Sequence, residues 1–279
     1  MKYLFALMFF VVLAVPAQAA PAGRIVDLHT GQSLTPAQLL EQTTRAERLL
    51  VGEKHDNPAH HAIELWLAEQ LATRRSTGAH LLEMLVPSQQ AAVTALQANP
   101  TRLWLPEDIA WSKGWDWTLY GPLLRHLMAA PTPLLAANLD RAEIMAIYQN
   151  PPPLNGTHSN TAALREQLSA EIRDSHCGLL PEAQIPAMLA VQQQRDRRMA
   201  EALLAAPTPA LLIAGAFHAR KDRGVPLHVQ DLAPAKLPRV LLLAEEGAEV
   251  SAAQADWVWF VDPLPEQDYC AELRAKHSQ

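Results

Sequence analysis

The 279-residue sequence has little cysteine, no basic tract and, beyond its first residues, no long apolar run. Cysteine occurs only at Cys177 and Cys270, which excludes a metal site built from cysteine alone. The formal charge is -6 and no cluster of lysine and arginine stands out, which argues against a nucleic-acid or polybasic membrane-binding surface. Small molecules or protein partners are therefore the expected ligands.

The first 19 residues have the pattern of a secretory signal peptide: Lys2, an apolar run over residues 4–15, and the small-residue motif Ala17-Gln18-Ala19. We predict cleavage near Ala19 and export of a soluble chain to the periplasm. No cysteine closely follows the apolar run, which argues against a lipid anchor. No later run is long enough to form a transmembrane segment.

The two cysteines have two interpretations. In an exported protein a lone pair of cysteines favours a disulfide, so we expect Cys177 to be bonded to Cys270. A buried free thiol at each position is the alternative.

Apolar runs alternate with helical stretches over residues 20–279, which predicts a single α/β domain. We expect three layers, with a mostly parallel sheet covered by helices on both faces. Residues 86–130 and 139–207 are longer than a crossover helix needs and predict helical excursions. The predicted strands are 48–51, 80–85, 133–137, 209–214, 239–244 and 257–261.

Two helices are predicted with particular clarity. The first begins after Asn57, which can cap the free amides, with Pro58 at the first helical position. Its inward stripe comprises Ile63, Trp66, Leu67 and Leu71. A second, longer helix is predicted over residues 186–206.

A Gly-x-x-His pattern occurs twice, each time directly after a predicted strand. Gly52 and His55 form the first copy, and Gly215 and His218 form the second. Parallel strands end at one edge of the sheet, where open α/β folds bind ligands. We therefore expect Glu53, His55 and His218 to converge at this edge.

Four further polar residues are expected near the same edge. Glu83 interrupts an apolar run, where an unpaired carboxylate would be costly, so it should end its strand beside a histidine or a metal. Asn138 occupies the equivalent place after the next strand. Gln192 and Asp196 share one face of the long helix; they either contact the cluster or mark the solvent edge of that face.

Two kinds of chemistry suit Glu53, His55, Glu83 and His218. Carboxylates and imidazoles are ligands for zinc and related divalent metals. They also form metal-free acid/base pairs in which a carboxylate orients a histidine. Polar residues at strand ends often only cap helices, but four strands that supply polar groups to one edge favour a functional site.

Several other residues near this edge have both a functional and a simpler structural interpretation. Arg220, Lys221 and Arg223 either bind carboxylates of a ligand or are ordinary loop charges. His60 and His61 are predicted to be structural or exposed. An aromatic-rich segment either packs into the core or binds a flat aromatic ligand; it contains Trp104, Trp111, Trp115, Trp117 and Tyr120.

Several stretches, in the expected order, resemble the ChaN-like haem-binding family, which is grouped with Tiki-type proteins and erythromycin-esterase-like enzymes. They span most of the mature chain. The stretches are "LLVGEKHDNPAHH" at 49–61, "LLEML" at 81–85, "GWDWTLYGPLL" at 114–124, "AANLDR" at 136–141, "HCGLLP" at 176–181, "QQQRDRRMAEAL" at 192–203 and "IAGAFHARKDRGVP" at 213–226.

The resemblance implies an α/β protein that binds haem and serves haem uptake and iron acquisition with other proteins of the cell envelope. Some members form a homodimer with two haems face to face. In Tiki-like relatives the Gly-x-x-His elements resemble a metal-dependent hydrolytic site. The alternative function is therefore a peptidase or esterase-like hydrolase, with catalytic residues Glu53, His55, Glu83 and His218. Many relatives resemble lipoproteins, and this chain departs from them in lacking the acylated cysteine.

The resemblance favours a tyrosine as the axial ligand of the haem iron. Tyr120 lies in the segment that is predicted to pack, and Tyr269 neighbours the cysteine at position 270. This leaves Tyr148 as the predicted ligand, with His158 as its rival in a loop. Arg220 and Arg223 are the predicted partners of the haem propionates.

Overall fold

A computed structural model of the protein describes residues 19–99, 102–153 and 155–277. The predicted signal peptide therefore lies, apart from residue 19, outside the described residues. The strands are β1 (Arg24–Asp27), β2 (Ser33–Leu34), β3 (Arg48–Glu53), β4 (Ala79–Leu82), β5 (Leu134–Ala136), β6 (Ala210–Gly215), β7 (Arg239–Glu245) and β8 (Trp257–Val261).

All of these strands belong to one sheet, in the order β2-β1-β8-β7-β3-β6-β4-β5. The strands from β8 to β5 run parallel, whereas β1 pairs antiparallel with both β2 and β8. The predicted fold class, a mostly parallel sheet with helices on both faces, is confirmed. The hairpin of β1 and β2 was not predicted, because a two-residue strand beside a four-residue strand offers too short an alternation of apolar residues.

The helices are α1 (Pro36–Thr44), α2 (Pro58–Arg74), α3 (Gln90–Gln97), α4 (Trp117–Ala129), α5 (Arg141–Gln149), α6 (Ala162–Ser175), α7 (Ile185–Ala205), α8 (Ala216–Ala219), α9 (Val225–Leu232) and α10 (Tyr269–His277). The two long segments between strands carry α3 with α4, and α5 to α7. Their description as excursions of a single domain stays a prediction.

Alternate residues of the strands pack into two separate apolar clusters. Leu49 and Val51 of β3 lie in the cluster that includes buried residues of α1 to α4. Leu50 lies in the other cluster, together with residues of α7 and α9. This alternation places one layer of helices on each face of the sheet, as expected when both faces of a parallel sheet are buried.

The loop between β3 and α2 is held by Asn57, as the sequence predicted. The Asn57 side chain accepts a hydrogen bond from the backbone amide of Ala59 (2.9 Å), and Pro58 is the first helical residue. The Asn57 amide also donates to Glu245 at the end of β7 (2.9 Å). Residues 54–57 are thereby fixed at the carboxyl edge of the sheet.

Cys177 and Cys270 are bonded, so the disulfide is the correct one of the two interpretations. The bond joins α10 to the turn that follows α6. Among residues 19–99, 102–153 and 155–277, no helix combines the length and apolar character needed to cross a membrane.

Candidate functional site

The candidate site lies where four neighbouring parallel strands end. Glu53 is the last residue of β3, and Gly215 is the last residue of β6. Glu83 directly follows β4, which ends at Leu82 rather than at residue 85 as predicted. Asn138 follows β5, and its side-chain amide donates to the backbone carbonyl of Glu83 (3.0 Å). The carboxyl ends of the strands thus bring these residues together.

His55 forms the half of the site that is open to solvent. Its Nδ1 contacts the carboxylate of Glu53, which also accepts a hydrogen bond from the Tyr120 hydroxyl (2.9 Å). The ring of Trp115 packs edge-on against the imidazole, with 4.9 Å between centroids. The His55 side chain is 44% exposed while that of Glu53 is fully buried.

The environment of His55 favours its protonated form. Burial alone would lower the pKa of His55, but the hydrogen bond that His55 donates to Glu53 and the charges of Glu53 and Glu83 raise it above its ordinary value. A carboxylate behind Nδ1 is the arrangement that orients a histidine for acid/base chemistry at Nε2.

His218 forms the closed half of the site. Its Nδ1 lies 2.6 Å from the Asp196 carboxylate, and its Nε2 lies 3.3 Å from Glu83. The second oxygen of Glu83 accepts a hydrogen bond from the amide of Gly215 (2.8 Å). The side chains of Asp196, His218 and Glu83 are all at least 92% buried. Asp196, His218 and Glu83 form what we call the buried ion triad.

Burial alone would lower the pKa of His218, but the charges of Glu83 and Asp196 raise it to about 10. Burial would likewise raise the pKa of Glu83, but His218 lowers it to about 2. His218 is therefore a fixed cation at neutral pH. Gln192 lies 3.2 Å from His218 Nδ1, so both site-facing residues predicted on α7 reach the cluster.

The glycines of the two Gly-x-x-His elements are needed for close packing. A Cβ atom on Gly215 would lie 2.8 Å from His55 Cε1 and 2.9 Å from its Nε2. A Cβ atom on Gly52, which lies within β3, would lie 2.5 Å from the Cβ atom of Ala219. In the structure these glycines therefore make room for the His55 ring and for α8.

His60 and His61 are buried and structural. His60 Nδ1 accepts from the backbone amide of Lys54 (2.9 Å), and burial lowers its pKa to about 4. His61 lies 3.0 Å from the backbone carbonyl of His55 and 3.1 Å from Glu64. Sequence reasoning missed that His61 supports the loop of His55, and it did not identify Glu64, whose pKa burial raises to about 7.

The aromatic segment packs mainly against itself and the first apolar cluster, which favours the core interpretation. Trp117 makes edge-on contacts with Trp104 and Trp111, with centroid distances of 5.7 and 5.4 Å. Tyr120 is an exception, because its hydroxyl reaches Glu53. No sequence signal distinguished it from its packed neighbours, since the helix register of α4 decides which ring faces the strand end.

The three cations after His218 are paired within the protein. Arg220 pairs with Asp222 through two contacts, at 2.8 and 2.5 Å. Lys221 lies 3.3 Å from Asp256. Arg223 contacts Glu171 on α6. The predicted contact of Arg220 and Arg223 with ligand carboxylates would have to compete with these pairs, and it stays a prediction.

A cavity of about 380 Å³ opens above the cluster, within the size range of small-molecule sites. Its floor includes Glu53, His55, Gly215 and His218, and Leu168, Ile172 and Ser175 of α6 form one wall. Neither predicted haem ligand lines it. Tyr148 is half-buried on α5, and His158 Nδ1 lies 2.8 Å from Asp231.

The predicted divalent metal site is not supported. In the part of the chain that the structure describes, no group of three or more His, Cys, Asp or Glu side chains is arranged to hold a metal. The physical reason is that His218 is engaged through both ring nitrogens, by Asp196 and Glu83, and that Glu83 is itself engaged by His218 and Gly215.

The protein is of the layered α/β class, and its Glu and His cluster lies at the carboxyl ends of the strands, where open α/β folds bind ligands. A family model described as "Haem-binding uptake, Tiki superfamily, ChaN" matches residues 39–229. The chain belongs to this family, as its motifs suggested. No curated protein matches the chain significantly.

One solved structure agrees with this assignment. ChaN of Campylobacter jejuni, described in its structure as showing cofacial haem binding, is 30% identical with a TM-score of 0.79. The match covers 85% of this chain and 96% of that chain. A mutant erythromycin esterase in its open conformation is 13% identical with a TM-score of 0.47, over 81% and 77% of the two chains. That second likeness is too weak to carry a conclusion.

We predict that His218→Gln destabilises the protein by about 3 kcal/mol at pH 6, because Glu83 and Asp196 would be left as unpaired buried charges. The stabilisation by His218 is complete below the ordinary histidine pKa of about 6.5 and is lost as pH rises toward the raised pKa. The loss relative to wild type should therefore shrink between about pH 6.5 and pH 10. Urea denaturation at several pH values measures it.

The control is His126→Gln, at a half-buried position on α4. It should change the free energy of unfolding by less than about 1 kcal/mol. Equal losses in the two variants, or a loss at His218 that does not depend on pH, would contradict the ion triad.

Proposed function

We propose that this protein binds haem on an apolar side of α5 and takes part in haem uptake for iron acquisition. The observation that carries the proposal is the match with a haem-binding ChaN over 96% of that chain. Membership of a haem-binding uptake family supports it further. Other proteins of the cell envelope would deliver or receive the haem.

The exposure of α5 supports its choice as the haem-binding surface. All nine residues of α5 are described, and none of them is buried. Ile144, Ile147 and Tyr148 are half-buried on one face, and Met145 is 45% exposed. A short helix that leaves such apolar side chains at the surface matches the flat apolar face of a porphyrin.

Two side chains fit the axial position. Tyr148 shares its face of α5 with Ile144 and Ile147, and tyrosine is an established ligand of haem iron. His158 is the alternative: its Nδ1 bonds to Asp231 while its side chain is 47% exposed, an arrangement that metal-binding histidines often adopt. We assign the iron to Tyr148, because the surrounding helix supplies the apolar contacts.

We predict that Tyr148→Phe weakens hemin binding by about tenfold or more and removes the spectrum of tyrosine-ligated ferric haem. Titration of the apo-protein with hemin, followed at the Soret band and by electron paramagnetic resonance, measures both. Tyr269→Phe is the matched control and should bind like wild type. His158→Gln tests the rival ligand in the same assay.

A wild-type protein without a saturable Soret change would overturn the haem function. Unaltered affinity and spectrum in Tyr148→Phe, with loss of both in His158→Gln, would transfer the ligand role to His158. Loss in neither variant would reject both ligands.

The cofacial haems of the relative support a homodimer in which two copies of this chain hold two haems face to face. Haem-filled protein should then sediment as a dimer while apo-protein sediments as a monomer, because the porphyrin faces complete the apolar contact. Sedimentation velocity with and without hemin measures this, with Tyr148→Phe as the control that stays monomeric. A hemin complex that remains monomeric would contradict the arrangement.

The signal-like first 19 residues support a periplasmic location for this function. The disulfide supports it as well, because such bonds persist in oxidising compartments.

Hydrolysis is a second candidate function, favoured by the His55 imidazole that opens into the cavity. In its neutral form, His55 would take a proton from water through Nε2, and the water oxygen would bond to an ester carbonyl carbon. The bond from that carbon to the alcohol oxygen would then break as the proton passes to this oxygen. Glu53 would stabilise the imidazolium, and Tyr120 would hold Glu53. The apolar wall of Leu168 and Ile172 suits an acyl chain.

We predict that His55→Ala lowers kcat/KM for p-nitrophenyl butyrate by about a hundredfold, because it removes the general base. Tyr120→Phe should give a smaller decrease with the same KM. His29→Ala is the control, since His29 is similarly exposed and pairs with Asp256 outside the cavity. A wild-type rate no higher than the buffer rate, or one unchanged in His55→Ala, would remove this candidate.

A further inference from the structure

The chain after β8 crosses the carboxyl edge of the sheet beside the cavity. Residues 262–270, which we call the C-terminal strap, are exposed except for half-buried Leu264 and Cys270. The Leu264 amide donates to Glu245 (3.3 Å), which also accepts from Lys54 (3.0 Å). The strap is therefore attached at its start to the loop that carries His55.

The far end of the strap reaches both walls of the cavity. The Tyr269 hydroxyl contacts the carboxylate of Asp56, in the loop of His55. The next residue, Cys270, is bonded to Cys177, two residues beyond the end of α6. Because α6 forms the opposite wall, the disulfide connects the two sides of the cavity opening.

The α6 wall packs outside the two large apolar clusters. Its Leu164, Leu168 and Ile172 pack with residues of the first half of α7 in a small apolar cluster that is separate from the two large ones. Glu171 of α6 forms an ion pair with Arg223, and both residues line the cavity. Elements with few buried apolar contacts open at lower free energy than the core does.

We propose that the bond between Cys177 and Cys270 is a redox-controlled latch that holds the α6 wall over the cavity. Its reduction would free α6 to move and widen access to His55. The sheet does not need the latch, because β6, β7 and β8 are held by their own strand pairs. The inference depends on neither function proposed above.

The reductant would be a dithiol protein or small molecule. One of its thiolates attacks a sulfur of the disulfide and forms a mixed disulfide, and its second thiol then releases the protein. The protein gains two electrons and two protons and becomes the free thiols Cys177 and Cys270, while the dithiol becomes a disulfide. Both cysteines are only half-buried, so an attacking thiolate can reach them.

The test measures how fast diethylpyrocarbonate modifies individual histidines, as resolved by mass spectrometry. Oxidised wild type is compared with protein that is reduced with dithiothreitol, alkylated and freed of reagents. We expect reduction to speed the modification of His55 by about threefold or more. His29, which is 47% exposed and lies outside the cavity, should react equally in both states. The double variant Cys177→Ser, Cys270→Ser should match the reduced protein and should not respond to dithiothreitol.

Hydrogen exchange on reduced wild type provides a second measurement that needs no variant. The amides of α6 should exchange faster after reduction, while those of β3 and β6 keep their rates. An unchanged rate at His55 would overturn the latch. Faster modification of the buried His60 together with faster exchange throughout the sheet would also overturn it, because the disulfide would then support the whole fold.

Discussion

The buried ion triad of Asp196, His218 and Glu83 is the interaction on which the site depends. It joins α7, α8 and the end of β4, and through Glu83 it also binds the amide that ends β6. Three charges removed from water are stable only while each has its partner. The triad therefore fixes the relative positions of two strand ends and two helices, and the open histidine beside it has a rigid floor.

The two histidines of the site, His55 and His218, have different roles because they differ in burial. His218 is enclosed between two carboxylates and keeps its proton, whereas His55 bonds to one carboxylate and faces the cavity. The lack of a side chain at Gly215 allows the His55 ring to lie directly against the end of β6. One histidine thus holds the site together while the other remains available to a ligand.

Much of this arrangement could be predicted from the sequence. The apolar runs identified the strands of the parallel sheet, and strand ends at a common edge predicted the meeting of Glu53, Glu83 and His218. The role of Tyr120 could not be predicted, because the rotation of α4 depends on packing among several tryptophans. The strap was also missed, since a segment with few apolar residues has no periodic pattern and its position depends on a disulfide distant in sequence.

The predicted metal site is not supported, for a related reason. A list of histidines and carboxylates gives the types of ligand but not which nitrogen is already engaged. Here both ring nitrogens of His218 face carboxylates, and Arg220 and Arg223 pair with acids of the same chain. Contacts within the protein thus occupy side chains that the sequence predicted to bind a metal or the carboxylates of a ligand.

The order of the strands has a consequence for how the chain folds. The central strand β3 has β6 on one side and β7 on the other, so Arg48 pairs with Ala210, which is far from it in the sequence. Contacts between residues so far apart in the sequence make folding slow, because a long stretch of chain must be ordered before they form. The centre of the sheet cannot assemble until the chain through β7, which ends at Glu245, has been synthesised. Until then the apolar β3 segment lacks its neighbouring strands, and exposed apolar segments of this kind are prone to aggregation.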